Sequence, residues 1–358
     1  MVAAHEDVAM SPMFVVRFVL GTAAVAATLG ACSFARPLDY LTAGDASEAR
    51  EGGLPVDTVA SGQLNPRHLT QDRTNLYWSN GDGVIMKVAK TGGAAIKVSS
   101  APAGQPVGWI AADPDEDGEL WMIAGTGVYR VSKAGGDPVP VESETPSPKA
   151  LAVDEDYLFV VHYDENGAIP GRLVRFSKAN VASRTVLSGE KDNPYTVVLH
   201  GGSVFWNDES GDIGAIFELP RDAPAGATPK VYRPGTNEDV YVDVPGAFAV
   251  DDEAIYYTQE AILFRLSRSQ PATRSVVFSP PRDAWLSGFA FDGASLYVLL
   301  DERENGAVVH VSKSGAGLRP VATNLRVPTA VVVDSVFVYF TVQGSGYEPD
   351  GAVLRAKK

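Results

Sequence analysis

One pattern returns seven times along this chain and leaves few folds open to it. Its clearest copy occupies residues 66–98. A short apolar strand ends at Asp72, the triplet Leu76-Tyr77-Trp78 follows, and a third strand reads Val84-Ile85-Met86-Lys87-Val88. A Lys-Thr-Gly-Gly turn then leads into Ile96-Lys97-Val98. The centre of the second-strand triplet gives the count: Tyr77, Trp121, Phe159, Phe205, Tyr256, Tyr297 and Tyr339, at intervals of 44, 38, 46, 51, 41 and 42 residues. Each follows a strand that ends at Asp72, Asp113, Asp154, His200, Asp251, Asp292 or Asp334. Aspartate suits that turn because its carboxylate can accept a backbone N–H two residues on. The fourth unit departs from the rule with His200-Gly201-Gly202.

A period of ~40 to 45 residues is that of a four-stranded propeller blade. The reading is therefore all-β: a seven-bladed β-propeller of four-stranded antiparallel blades over residues 55–358, with six or eight blades as the neighbouring counts. One blade cannot stand alone, since its sheet has two faces to cover. The anchor aromatic is the natural wedge, each ring burying ~150 to 250 Å², worth a few kcal/mol at about 25 cal/mol per Å². The last unit runs out in its third strand, Val353-Leu354-Arg355-Ala356-Lys357-Lys358. The stretch Val56-Asp57-Thr58-Val59-Ala60-Ser61-Gly62-Gln63 is similar to a fourth strand. Residues 55–61 are thus predicted to pair with the last blade and close the ring, removing two free edges.

Ahead of the repeats, residues 18–29 form an apolar run behind Arg17 that ends in Leu29-Gly30-Ala31-Cys32. It is shorter than the ~20 residues needed to span a bilayer and has the length of a signal-peptide core. Leu-Gly-Ala-Cys resembles the lipobox of bacterial lipoproteins. That resemblance implies a signal peptide over residues 1–31 and an acylated Cys32 as the mature N-terminus; a plain secretory signal with a chance cysteine is the alternative. Cys32 is the only cysteine, so no internal disulfide can form. Ser33 resembles lipoproteins sorted to the bacterial outer membrane, giving an extracytoplasmic, lipid-anchored address on its periplasmic side or surface. Glu6 and Asp7 dilute the basic flank, which leaves Met1, Met10 and Met13 as candidate starts. Residues 32–54, with little apolar periodicity, read as a flexible tether.

Net charge is −14, which weighs against nucleic acid as a partner. Charge is also patterned. Third strands carry Lys87, Arg130, Arg175, Glu218, Arg265, His310 and Arg355, and three residues later come Lys90, Lys133, Lys178, Arg221, Arg268, Lys313 and Lys358. The turns after strands one and three share a face, so the expectation is a ring of surface Asp to Lys/Arg pairs worth ~0 to 1 kcal/mol each. A basic surface for anionic lipid or polysaccharide is the alternative. Loops between strands two and three, on the opposite face, are acidic: Asp82, Asp164, Glu165, Asp208, Glu209, Asp212, Asp301, Glu302, Glu304 and Asp350 form a candidate binding rim, with Glu260 and Glu348 alongside and Arg303 the one cation among them. Such a rim would attract a cation or a basic protein surface, or serve only to keep the protein soluble.

Candidate chemistry is sparse. Asp113-Pro114-Asp115-Glu116-Asp117-Gly118 has the spacing of a calcium loop, with Asp113, Asp115 and Asp117 as ligands, but Trp121 and Ala124 stand where a later acidic ligand belongs. The five histidines do not cluster: His5 precedes the signal core, His68 opens the first blade, His162 is assigned to a loop, His200 to a turn and His310 to the charged column. No Gly-x-Ser-x-Gly elbow and no phosphate-binding Gly-rich loop occurs. Calcium is the only cofactor candidate.

Units such as Leu76-Tyr77-Trp78-Ser79-Asn80 with Met86-Lys87-Val88-Ala89-Lys90-Thr91-Gly92-Gly93, and Val128-Tyr129-Arg130-Val131-Ser132-Lys133-Ala134-Gly135-Gly136, resemble the repeats of YWTD-type and NHL-type propellers. Those are usually six-bladed, and no unit here contains the full Tyr-Trp-Thr-Asp string. The resemblance implies a monomeric binding or scaffold module for a protein, peptide or glycan, with no catalytic residues to transfer. Some related propellers are lyases, lactonases or quinone-dependent dehydrogenases. The alternative is a metal-dependent hydrolase or lactonase with several Asp, Glu, Asn or His side chains converging on the central channel.

Overall fold

The computed structural model describes residues 54–143, 147–163, 170–188, 194–208, 215–232, 248–259, 261–280, 284–302 and 305–358. They form seven sheets of four strands, all neighbouring strands antiparallel. The protein is a seven-bladed β-propeller. From blade one to blade seven the inner strands are Leu69–Gln71, Val107–Ala112, Pro148–Val153, Pro194–His200, Phe248–Val250, Trp285–Phe291 and Pro328–Val333.

The repeat in the sequence is a register in space. Each anchor aromatic lies between a mostly small inner residue and the first charged column. Tyr77 is flanked by Thr70 and Lys87, Trp121 by Ala111 and Arg130, Phe159 by Ala152 and Arg175. The series continues through Phe205, Tyr256, Tyr297 and Tyr339, each at most 2% exposed. Strand side chains alternate between two faces, so the anchor of each blade faces the next blade. Tyr77 packs with Ile110, Leu120 and Met122 of blade two, and Phe159 with Val197, Val204 and Trp206 of blade four. Tyr339 of blade seven packs with Leu76, Trp78 and Val88 of blade one. The core is thus seven clusters, one per joint, each holding one anchor.

Closure follows the expectation. Val56–Gln63 is the outer strand of blade seven, pairing Val56 with Ala356, Asp57 with Arg355 and Gln63 with Gly351. Val59 and Ala60 are buried in the joint between blades seven and one. The Gln63 Oε1 accepts from Trp78 Nε1 at 3.1 Å and Asn80 Nδ2 at 3.4 Å. One strand therefore holds both sides of the seam. Inner strands add the Thr329 hydroxyl to the Pro66 carbonyl at 2.8 Å and the Gln71 amide to the Val333 carbonyl at 2.8 Å.

Seven outer strands leave seven edges able to pair with a foreign strand. Register shifts interrupt six of the outer pairings. The seventh outer strand, Lys230–Tyr232, is three residues long. Bulges and short edges prevent a flat template, which matters because Ile96, Val139, Val186 and Val276 on those strands are exposed.

Removing residues 55–63 should lower the melting temperature by at least ~10 °C, whereas removing an equal length from residues 33–54 should leave it unchanged. Calorimetry of the two deletions checks this, and equal melting temperatures would contradict closure by this strand.

Candidate functional site

Two faces and an axis are available for function. On the face of the Asp turns, the second basic column joins blade to blade. Lys133 of blade two reaches Asp72 of blade one at 2.9 Å, Lys178 reaches Asp113 at 2.8 Å, and Arg221 reaches Asp154 at 2.9 Å. Lys313 meets Asp251 at 2.5 Å, Lys358 meets Asp292 at 2.5 Å, and Lys90 of blade one closes the circle on Asp334 of blade seven at 3.5 Å. Several of the cations also donate to the main chain of their own blade's Asp: Lys133 to the Asp113 carbonyl, Lys178 to that of Asp154 and Lys358 to that of Asp334.

At the joint of blades one and two the pair is buried: the Lys133 and Asp72 side chains are 3% and 0% exposed, whereas Arg221 and Lys313 elsewhere in the ring are 33% and 27% exposed. Asp72 Oδ1 accepts from the amides of Thr74 and Asn75, and Oδ2 from the Tyr77 hydroxyl at 2.7 Å. Burial works against its ionisation, but Lys133, Tyr77 and the two amides outweigh it and hold the carboxyl below the usual range. Asp251 and Asp292 are held low in the same way, against burial, by Lys313 and Lys358 with two amides each. For Asp334 the opposing forces are burial and the amides of Phe337 and Val336. The phenols respond in reverse: burial and the neighbouring Asp push Tyr297 and Tyr339 up to about 12.

The fourth unit shows how the ring survives its exception. His200 offers no carboxylate, and its imidazole instead meets Asp252 at 2.8 Å. Arg268 of blade five bonds Glu218 at 2.9 Å. Glu218 is the one acid in the otherwise basic third-strand column, so a charge change at one position compensates for that at the other. Tyr232 donates a short hydrogen bond to the same carboxylate. A hollow of about 180 Å³ opens beside the His200-Gly201-Gly202 turn, bordered by Asp154, Glu155 and Arg221. Both glycines have positive φ, 57° and 79°, which favours glycine there.

The ring also absorbs the calcium-like motif. Asp113 Oδ1 takes Lys178 and the Trp121 indole N–H, and Oδ2 takes the Glu119 amide. Gly118 is required because a Cβ there would collide with the Asp113 carboxylate. Asp113, Asp115 and Asp117 do not converge, and among the described residues no group of three His, Cys, Asp or Glu side chains could hold a metal ion.

The described inner strands contain no Asp or Glu, although Thr70, Gln71, Lys149, Thr196, Ser287 and Thr329 bring other polar groups to them. Trp109, on blade two, packs against the clusters joining blades two to three and three to four, and its ring lies 6.0 Å from that of His68 on blade one. Burial, with the Arg67 charge beside it, pushes the His68 imidazole down to about 4, so it is neutral at physiological pH. The convergence of polar groups that a channel metal site would need is not found among the described residues.

The loop face carries the acidic rim. Asp82 is exposed and accepts the Val84 amide at 3.1 Å. Asp301 ends a strand opposite Trp285, and Glu302 beside it is exposed. Asp350 accepts from the Ser345 amide and hydroxyl and pairs with Arg326 at 3.2 Å. Arg326 comes from the connection between blades six and seven, outside the loops between strands two and three. Asp208 ends the strand Ser203–Asp208. Asp164, Glu165, Glu209, Asp212, Glu260, Arg303 and Glu304 lie outside the described residues, as do Cys32, the signal segment 1–31 and the tether up to residue 53. His162, assigned to a loop from the sequence, is instead the buried last residue of Tyr157–His162, 2.9 Å from the buried Glu142 of blade two.

Three features carried no sequence signal strong enough to find them. Trp109 and the pair Trp285 and Tyr347 belong to no column of the repeat, and Glu142 lies 20 residues from His162 on another blade.

No protein-family model matches the sequence. Solved structures do. A catalytically inactive virginiamycin B lyase from Staphylococcus aureus with quinupristin is similar over 85% of this chain and 99% of its own, at 12% identity and a TM-score of 0.58. YCF48 bound to D1 peptide matches over 85% and 96%, at 9% identity and 0.60. The WD40 β-propeller domain of Doa1 matches over 85% and 98%, at 10% identity and 0.61. The likeness is one of fold. At these identities residue roles do not transfer, and function has to be argued from the chain's own faces.

Replacing Lys133 by Met should destabilise the protein by about 3 to 5 kcal/mol, since it strands a buried carboxylate, while Arg326→Ala at the exposed Asp350 pair should change stability by less than ~1 kcal/mol. Because Asp72, Asp251, Asp292 and Asp334 have depressed folded pKa values, their stabilisation is present above the unfolded value, near 4, and lost as pH falls through the folded values. Urea midpoints should thus be level from about pH 7 to 5 and drop steeply below about pH 4, less steeply in Asp72→Asn. In blade four, Glu218→Gln should lose ~2 to 3 kcal/mol by leaving Arg268 without its carboxylate. Adding His200→Asp should restore at least half, read from the same melts.

Proposed function

We propose that this chain is a lipid-anchored, extracytoplasmic propeller that serves as a binding or scaffold module, engaging a protein, peptide or glycan through its loop face. The observation that carries this reading is the direction of the closing strand. Val56 pairs beside Ala356, at the end of blade seven that holds the Asp–Lys ring, and Gln63 pairs beside Gly351 at the opposite end. The chain thus enters the propeller on the ring face. With Cys32 acylated and residues 33–54 as the tether, the ring face is turned to the membrane and the loop face away from it. Such a tether extends to ~75 Å at most, enough to clear a headgroup layer.

The division of chemistry between faces agrees. Ring-face charges pair with one another, and the described inner strands carry no carboxylate. Loops on a rigid scaffold are free to vary and bind. The fold itself accommodates ligands of the proposed kind, since the similar structures include one with a bound peptide and one with quinupristin.

Radiolabelled palmitate should be incorporated by the native chain and not by Cys32→Ser, with the variant released from the membrane fraction. In capture from envelope extracts, changing Asp301, Glu302 and Glu304 together to Ser should remove at least one partner retained by the native protein. Unchanged capture of every partner would contradict binding through the acidic loops, and palmitate label on Cys32→Ser would contradict the anchor.

A further inference from the structure

The large aromatic side chains of a folded protein are ordinarily covered, and here twelve of the largest side chains are below 2% exposed. Two aromatics depart sharply from that. Trp285 is 72% exposed and Tyr347 is 90% exposed, while the other exposed large apolar side chains among the described residues are all Val or Ile. The two aromatics share one sector. Trp285 is the first residue of the inner strand of blade six, at its loop-face end. Tyr347 lies in the loop that joins Phe337–Val342 to Gly351–Lys357, on the loop face of the adjoining blade seven.

Carboxylates flank both. Asp301 is the cross-strand partner of Trp285, and Glu302 follows it in the chain. Glu348 follows Tyr347, and Asp350 is two residues further on. Arg326 is paired with Asp350 and ties the blade-seven loop to the connection from blade six.

We infer that the loop face of blades six and seven is a docking surface for a basic peptide segment of a partner protein, its Lys or Arg side chains lying on Trp285 and Tyr347 and facing Asp301, Glu302 and Glu348. Exposed indole and phenol faces attract cations through their ring quadrupole. Carboxylates beside them supply the opposite charge and exclude anionic ligands. Arginine can satisfy both at once, stacking its plane while donating to a carboxylate. The chain's overall −14 adds long-range attraction for the same class of partner. This inference rests on the loop-face reading above and narrows it to one sector and one ligand chemistry.

The test uses the full-length protein purified in detergent and three probes: a fluorescent dodecapeptide of alternating Arg and Ala, the same peptide with Glu in place of Arg, and a neutral hexasaccharide of N-acetylglucosamine. The Arg peptide should bind, and the Glu peptide should not. Trp285→Ala and Tyr347→Ala should each weaken Arg-peptide binding at least ~10-fold, and Glu302→Gln with Glu348→Gln should flatten its salt dependence. Because these side chains are exposed, melting temperatures should stay at the native value, which separates lost binding from lost fold. Arg-peptide affinity unchanged in both aromatic variants would overturn this sector while leaving the loop face in place. Binding of the hexasaccharide alone would overturn the partner class. Loss of Arg-peptide binding in a ring-face variant, Glu155→Gln with Asp156→Asn, and in no loop-face variant would overturn the loop-face reading as well.

Discussion

Everything in this propeller leans on a cation of one blade reaching back to a carboxylate at the foot of the blade before it. The contact matters because of where it is made. The Asp turn is held under its own anchor aromatic by two backbone amides, with a phenol or indole N–H added in several blades. Its charge is then partly withdrawn from water, and only the neighbouring blade's Lys or Arg compensates it. Removing that cation leaves an unpaired charge in a low-dielectric joint, a far larger penalty than losing a surface pair. The apolar anchors supply most of the burial energy, but apolar packing is tolerant of small slips. The ionic links add a directional contact between each blade and the one before it.

That arrangement explains why the exception in blade four is informative. A repeat that had merely decayed would lose its carboxylate and keep an orphaned Arg268. Instead the third-strand column, basic or histidine elsewhere, turns acidic at Glu218, two strands away from the missing Asp and within reach of the same guanidinium. The physical requirement is a negative charge at the joint, and the chain meets it from a different position. Beside the His200-Gly201-Gly202 turn a hollow opens toward blade three, bordered by Asp154, Glu155 and Arg221.

The fold was almost wholly legible before any coordinate was considered. Tyr77, Trp121, Phe159, Phe205, Tyr256, Tyr297 and Tyr339 mark the blades because a buried ring at every joint is a steric necessity that each unit must restate. Closure by Val56–Gln63 was legible for the same reason, since three strands at the C-terminus demand a fourth. What the sequence hid is what it states only once. Trp109 belongs to no repeating column, and its neighbours, His68 and two inter-blade clusters, draw on other blades. The pairing of His162 with Glu142 crosses a joint. The burial of the Lys133–Asp72 pair was not legible, because it depends on the depth of the turn beneath the anchor, and spacing along the chain does not report depth. The loop face was legible only as composition: its charges could be counted, but the exposure of Trp285 and Tyr347 could not.

A double-mutant cycle on Asp72→Asn and Lys133→Met, read by urea unfolding at pH 7, measures the joint between blades one and two without the contribution of either group alone. If the joint between blades one and two depends on its buried ion pair, the coupling energy should be about 2 to 3 kcal/mol. A coupling within ~0.3 kcal/mol of zero would mean that the two charges are independently solvated and that apolar packing alone holds the ring together.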